Sequence, residues 1–207
     1  MEPEIPVRTA VIYYSATGTV HTLALAAAEG AEKAGAEVRL RRVAETAPRA
    51  AIEARPEWAR HRSETAGVPE AAVGDLEWAD VALFGTPTRF GTMSAQLKAF
   101  IDATGPLWAA GGLADKVYSA FTASHPAHGG QESTLPALGN VFCHWGGIIV
   151  PPGSTDPVRL RSGTPCGTSD IAADGPPGDV ALEAARYQAW RAVTTAAALA
   201  AGRRQPV

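Results

Sequence analysis

Three short stretches of the chain hold the residue types best suited to chemistry. The first, Ser15-Ala16-Thr17-Gly18-Thr19, carries three hydroxyls and a glycine, with no lysine or arginine. An Ala-rich helical segment follows at once. Such a turn suits a phosphate, which accepts hydrogen bonds from loop amides, hydroxyls and the unpaired N–H groups of a helix's first turn. The turn is neither a Gly-Lys-Ser/Thr phosphate loop nor a GxGxxG dinucleotide fingerprint. A Ser/Thr-rich turn that only caps its helix is the alternative. The second stretch, Thr86-Pro87-Thr88-Arg89-Phe90-Gly91, sets a charge beside an aromatic, between a stiffening proline and a permissive glycine. It can wrap a flat heterocycle, offering amides to the edge and apolar surface to the face. Otherwise Phe90 simply packs on the sheet. The third, Ala123-Ser124-His125-Pro126-Ala127-His128-Gly129-Gly130, is rich in Gly, His and Pro. Its two histidines lack a carboxylate or cysteine at a familiar metal-ligand spacing. Neither Ser15 nor Ser124 sits in a GxSxG elbow.

All three follow short apolar runs that read as strands. Residues 11–14 form a buried strand, and 20–34 a helix ended by Gly35. Residues 37–43 alternate polar and apolar, which predicts a strand with one exposed face or a place near a sheet edge. Strands follow at 80–85, 116–122 and 147–150. Between them lie helices at 93–103, with Met93, Leu97, Phe100 and Ile101 inward, and at 131–144, where Pro136 and Gly139 predict irregularity. A last helix covers 179–201 and Gly202 closes it. Segments 45–77 and 154–177 read as surface excursions, the first with a short helix near 50–62. Five strands alternating with helices predict an α/β three-layer sandwich around a five-stranded parallel sheet, with 1–207 as a single domain. In such sheets ligands bind at the carboxyl ends of the strands, where the strand order reverses.

The chain has 207 residues, 46% hydrophobic and 19% charged, with a net charge of −3. That balance gives no electrostatic reason to bind nucleic acid or an anionic membrane. Cys143 and Cys166 sit in no CxxC motif, which predicts a reduced, cytoplasmic protein. Residues 1–6 lack a basic, apolar leader, and no run approaches the ~20 apolar residues needed to span a bilayer. Trp108, between Gly105-Pro106-Leu107 and Ala109-Ala110-Gly111-Gly112, is expected to line a cleft or a subunit contact. Trp58, Trp78, Trp145 and Trp190 are expected to pack, and Cys143 to be a small buried residue. His144 is placed to cap the end of its helix. The Ala-rich stretch 192–201 reads as a buried or self-associating helix face.

The chain also resembles the WrbA family of flavodoxin-like, FMN-dependent NAD(P)H:quinone oxidoreductases. The resemblance rests on Tyr13-Tyr14-Ser15, Phe84-Gly85-Thr86-Pro87-Thr88-Arg89-Phe90-Gly91, Met93-Ser94, Phe100-Ile101-Asp102-Ala103-Thr104-Gly105 and Leu107-Trp108. His128-Gly129-Gly130-Gln131-Glu132 and Gly146-Gly147-Ile148-Ile149-Val150-Pro151 also carry it, and the similarity spans nearly the whole chain, from Thr9 to the last helix. It implies FMN contacts from Ser15, Ala16, Thr17, Gly18, Thr19 and Val20, and from Pro87, Thr88, Arg89, Phe90 and Gly91. Further contacts are implied from Ala123, Ser124, His125, Pro126, Ala127 and Gly129, and from His144. It also implies that Trp108 walls the cleft over the flavin, that His144 donates to developing negative charge, and that the chain forms a homotetramer or homodimer. NADH or NADPH would reduce the flavin and a quinone would reoxidise it on the same face, which is a ping-pong hydride relay. The Ser15–Thr19 turn would anchor the cofactor and take no part in the transfer. Two departures stand out: Thr17 replaces an aromatic or bulky residue, and His125-Pro126 replaces a Ser/Thr/Gly-rich sequence. Pro126 has no N–H to offer. A flavodoxin-type electron carrier is the alternative, although flavodoxins tend to be strongly acidic and lack a Trp108-like extension. A flavin-binding interaction module without catalysis is another.

Overall fold

The computed structural model describes residues 6–162 and 164–203. The leader reading of residues 1–5 therefore lies outside the described residues, as does Gly163. Strand β1 (Arg8–Tyr13) leads into helix α1 (Thr19–Lys33), which returns to β2 (Glu37–Arg42). Helix α1 stops where expected. The Gly35 amide donates to Glu32 O at 2.9 Å and the Ala36 amide to Ala31 O at 3.1 Å, which satisfies carbonyls that the last turn leaves open. Three short helices follow: α2 (Arg49–Glu53), α3 (Pro56–Glu64) and α4 (Val73–Trp78). Then come β3 (Val81–Pro87), α5 (Ala95–Asp102), α6 (Gly105–Ala109), β4 (Val117–Ser124), α7 (Gln131–His144) and β5 (Ile148–Ile149). The chain ends with α8 (Pro157–Ser162), β6 (Thr168–Ile171), a single 3-10 turn at Ala172–Asp174, and α9 (Asp179–Arg203).

The strands are parallel in the order β2-β1-β3-β4-β5, with β6 also on β4. β5 pairs with Val117 and Tyr118 at the start of β4, and β6 with Phe121 through Ser124 at its end. The fifth position is thus filled by two short strands, and the chain leaves the sheet between them. This corrects the expectation of one strand at 147–150 followed by a loop over 154–177. β2 lies at the sheet edge, as its alternation predicts.

Helices cover both faces. On one side α1 and α9 press alanine-rich faces together over Val11, Val81 and Phe121. Ala192, Val193 and Ala196 are buried there, so that stretch is a packing face. On the other side α5 and α7 enclose Ile12, Phe84, Leu97 and an aromatic cluster in which Tyr118 stacks on Phe142 at 5.0 Å. Trp145 joins this cluster. Trp190 does not pack as expected: it is 45% exposed, against Tyr187. Cys143 is also exposed, because it falls on the outer side of α7. α7 runs through Pro136 without a break, and Gly202 lies inside α9.

Candidate functional site

β1, β3 and β4 are neighbours in the sheet, so the loops after them lie side by side at its carboxyl edge. The first loop is an open set of donors. The Gly18 amide turns inward to Ser15 Oγ at 3.1 Å. Gly18 itself has φ +111, a left-handed conformation that a side chain rarely adopts. Among the described residues no side chain caps α1, so the amides of Thr19, Val20 and His21 are left for an outside acceptor. Thr17 is exposed and Thr19 half-buried. An uncapped helix end with adjacent hydroxyls fits a phosphate and disfavours the reading as a mere capping turn.

Behind this turn lie residues that the sequence reading missed. The Tyr13 hydroxyl and His21 Nδ1 are 2.6 Å apart, and the His21 ring lies 5.4 Å from that of His61 on α3. Burial pushes the Tyr13 hydroxyl up to about 12. Burial lowers both imidazoles, and the neighbouring His21 lowers His61 further. Glu45 ties the surroundings together. It accepts from Tyr14 at 2.8 Å, Trp58 Nε1 at 3.1 Å, Gln96 Nε2 at 2.8 Å and the Ala47 amide at 2.9 Å. Burial would raise its carboxyl, but these donors outweigh burial and hold it below the usual range. The segment expected to carry one short helix carries α2 and α3, separated at Pro56, which starts α3. Through Trp58 and His61 it packs onto the first loop.

The second and third loops are locked together. The Thr88 amide donates to Ala123 O at 2.8 Å, and Thr134 on α7 donates to Thr88 Oγ1 at 2.7 Å. Arg89 and Thr92 exchange backbone bonds of 2.7 and 3.1 Å around Phe90 (φ +52) and Gly91 (φ +77). Two central residues with positive φ make a type I′ turn. Phe90 is fully exposed at its tip, so it does not pack on the sheet. A bulky residue held in this conformation is strained, which is characteristic of ligand clamps. Gly91 faces Gly130, where a Cβ would come within 2.8 Å of the Gly91 Cα. In the third loop Ser124 Oγ donates to Pro126 O at 2.6 Å, and Gln131 braces Gly129 and Ala127. His125, Pro126 and Ala127 are exposed. A cavity of about 920 Å³ opens beside this loop, lined by His128, Gln131, Arg161, Asp170 and Asp174 among others.

Trp108 and His144 meet each other but not these loops. Trp108 Nε1 donates to His144 O at 2.9 Å. Trp108 lies on α6 rather than in a loop and is 54% exposed. α7 starts beside Gly91 and runs 14 residues, about 21 Å, so His144 lies toward the opposite edge of the sheet. Within one chain, therefore, Trp108 and His144 cannot share a cleft with the Ser15–Thr19 turn.

The strand order, the uncapped turn after β1 and the two interlocked loops define a flavodoxin-like α/β protein. Among solved structures it is similar to the flavodoxin, WrbA-like protein from Agrobacterium tumefaciens, with a TM-score of 0.65 and 28% identity over 92% of this chain and 97% of that one. Residues 8–155 match the family of NADPH-dependent FMN reductases, and the chain belongs to that family. It is 46% identical over 173 residues to NAD(P)H dehydrogenase (quinone) of Deinococcus radiodurans, covering 83% of this chain and 86% of that protein. It is 42% identical over 205 residues to the protein of the same name from Paracoccus denitrificans, covering 94% and 96%. No helix among the described residues is long and apolar enough to cross a membrane.

Proposed function

We infer that the chain is an FMN-dependent NAD(P)H:quinone oxidoreductase that reduces quinones by two electrons. One observation carries the reading: an uncapped helix N-terminus and a strained, exposed aromatic turn stand at the same sheet edge. The relatives named NAD(P)H dehydrogenase (quinone) support it. Bound FMN supplies the hydride-accepting and hydride-donating chemistry. Ser15, Thr17, Gly18, Thr19 and Val20 would hold its phosphate through amides and hydroxyls, with Ala16 buried beneath them. Pro87, Thr88, Arg89, Phe90 and Gly91 would orient the ring from one loop. Ala123, Ser124, His125, Ala127 and Gly129 would flank it from the other, and Pro126 contributes no amide. Anaerobic NADH or NADPH should bleach the flavin absorbance and a quinone should restore it. A flavoprotein that neither nucleotide reduces would instead be a carrier.

The two substrates would occupy one face in turn, which gives parallel double-reciprocal lines; intersecting lines with a demonstrated ternary complex would overturn that scheme. The distance between the Trp108–His144 edge and the loops favours a homotetramer or homodimer in which one copy's edge covers another copy's loops. Light scattering at assay concentration should then show an assembly, and a fully active monomer would refute it. We place the protein in the cytoplasm, which cell fractionation tests.

A further inference from the structure

We propose that His61, backed by His21, is the cationic part of the phosphate anchor, taking up a proton when the FMN phosphate docks on the Ser15–Thr19 turn. The proposal rests on the FMN reading above. The turn has no lysine or arginine, yet a phosphate monoester carries about −1.5 to −2 charges at neutral pH. Something nearby must answer that charge, and His61 is placed to do so. It is only 6% exposed, and neither of its ring nitrogens has a hydrogen-bond partner among the described residues. Its Nδ1 lies 3.6 Å from where a Cβ on Gly18 would stand. Glycine leaves that space open, so the imidazole faces the turn directly.

The surroundings set how many protons the pair takes. Tyr13 from β1 engages His21 Nδ1, and Nε2 has no hydrogen-bond partner among the described residues. Arg42 from β2 lines the same small cavity as Ser15 and His61, about 30 Å³, but is paired with Glu70 at 2.9 Å. Glu45 faces that cavity with its oxygens saturated by four donors. On α3 itself, Arg62 lines the cavity and Glu64 raises His61 slightly against burial. Burial lowers both imidazoles, and His21 lowers His61 further, so without an anion both are biased toward the neutral form. A second proton is opposed by the first, at 5.4 Å between rings. A docked anion favours the charged form and raises the imidazole, so one proton is taken up. Binding then tightens as pH falls through the window between the bound and free imidazole values. At about pH 7.5, well above the phosphate's second pKa of about 6, its own ionisation contributes little.

The test is calorimetric titration of the flavin-free protein with FMN and with riboflavin, at about pH 7.5. Two buffers with different protonation heats count the protons. Uptake approaching one proton per FMN and none per riboflavin is expected. His61→Gln should abolish the uptake and weaken FMN about ten- to hundredfold, the range for a hydrogen bond to a charged group. Riboflavin affinity should not change. Wild-type FMN binding without proton uptake overturns the proposal and needs no variant to show it. Equal weakening of both flavins by His61→Gln would mean a packing role and also overturns it. A wild-type protein that binds neither flavin would overturn the FMN reading and this proposal together.

Discussion

Replacing Glu45 by glutamine tests how far the site depends on a single carboxylate. Glu45 joins Tyr14 at the end of β1, Trp58 on α3 and Gln96 on α5, besides the Ala47 amide. A hydrogen bond to a charged group contributes about 1.5–3 kcal/mol, and a stranded buried donor costs a similar amount. Glutamine keeps one acceptor oxygen but turns an NH₂ toward groups that are themselves donors. Because the site is half-buried, the bonds do not sum fully, and a loss of about 2–4 kcal/mol is expected at neutral pH. That is a large share of the roughly 5–15 kcal/mol that holds a domain folded. The pH dependence supplies the internal control. The folded carboxyl is held below its unfolded value. Its contribution is therefore complete above about pH 4.3 and is lost as pH falls through the depressed folded value. Urea unfolding at neutral pH and at about pH 3 should show a wide gap between wild type and Glu45→Gln that narrows in acid. A gap under about 0.5 kcal/mol at neutral pH, the size of an ordinary surface change, would refute the hub assignment. So would a gap that stayed constant in acid.

Phe90→Asn keeps a residue tolerant of positive φ, releases strain of about 1–2 kcal/mol and removes the exposed ring. Thermal unfolding should rise while turnover falls; a drop in both would mean that Phe90 packs in the native state. Trp108→Ala removes one hydrogen bond from a half-exposed residue and should change chain stability by about 1 kcal/mol or less. Assembly measured by light scattering and quinone turnover should suffer more, and unchanged values for both would remove Trp108 from the site. Thr17→Val with Thr19→Val should weaken FMN retention, by roughly 0.5–1.5 kcal/mol for each lost bond. Turnover per bound flavin should stay nearly intact, and its collapse would show that the turn does more than anchor.

The reach of the sequence can be traced residue by residue. Apolar runs such as Val11-Ile12-Tyr13 declare a strand by composition alone, and Gly35 marks a helix end through its own backbone. β6 declares nothing. Thr168-Ser169-Asp170-Ile171 has no apolar run and becomes a strand only by pairing with Phe121 through Ser124. The proposed anion turn can be read from sequence because its donors are contiguous, whereas His61 stands there as a lone histidine on a polar helix. Nothing local distinguishes such a residue from a solvated one; its place under Gly18 is a product of tertiary packing. Trp108 and His144 pose the opposite case, since helix length alone fixes where they lie. A 14-residue helix that starts at the carboxyl edge and returns antiparallel to β4 must leave its last residue at the other edge. Residue type points to an aromatic wall, but helix length decides whose cleft it can wall, and that length points away from the chain's own.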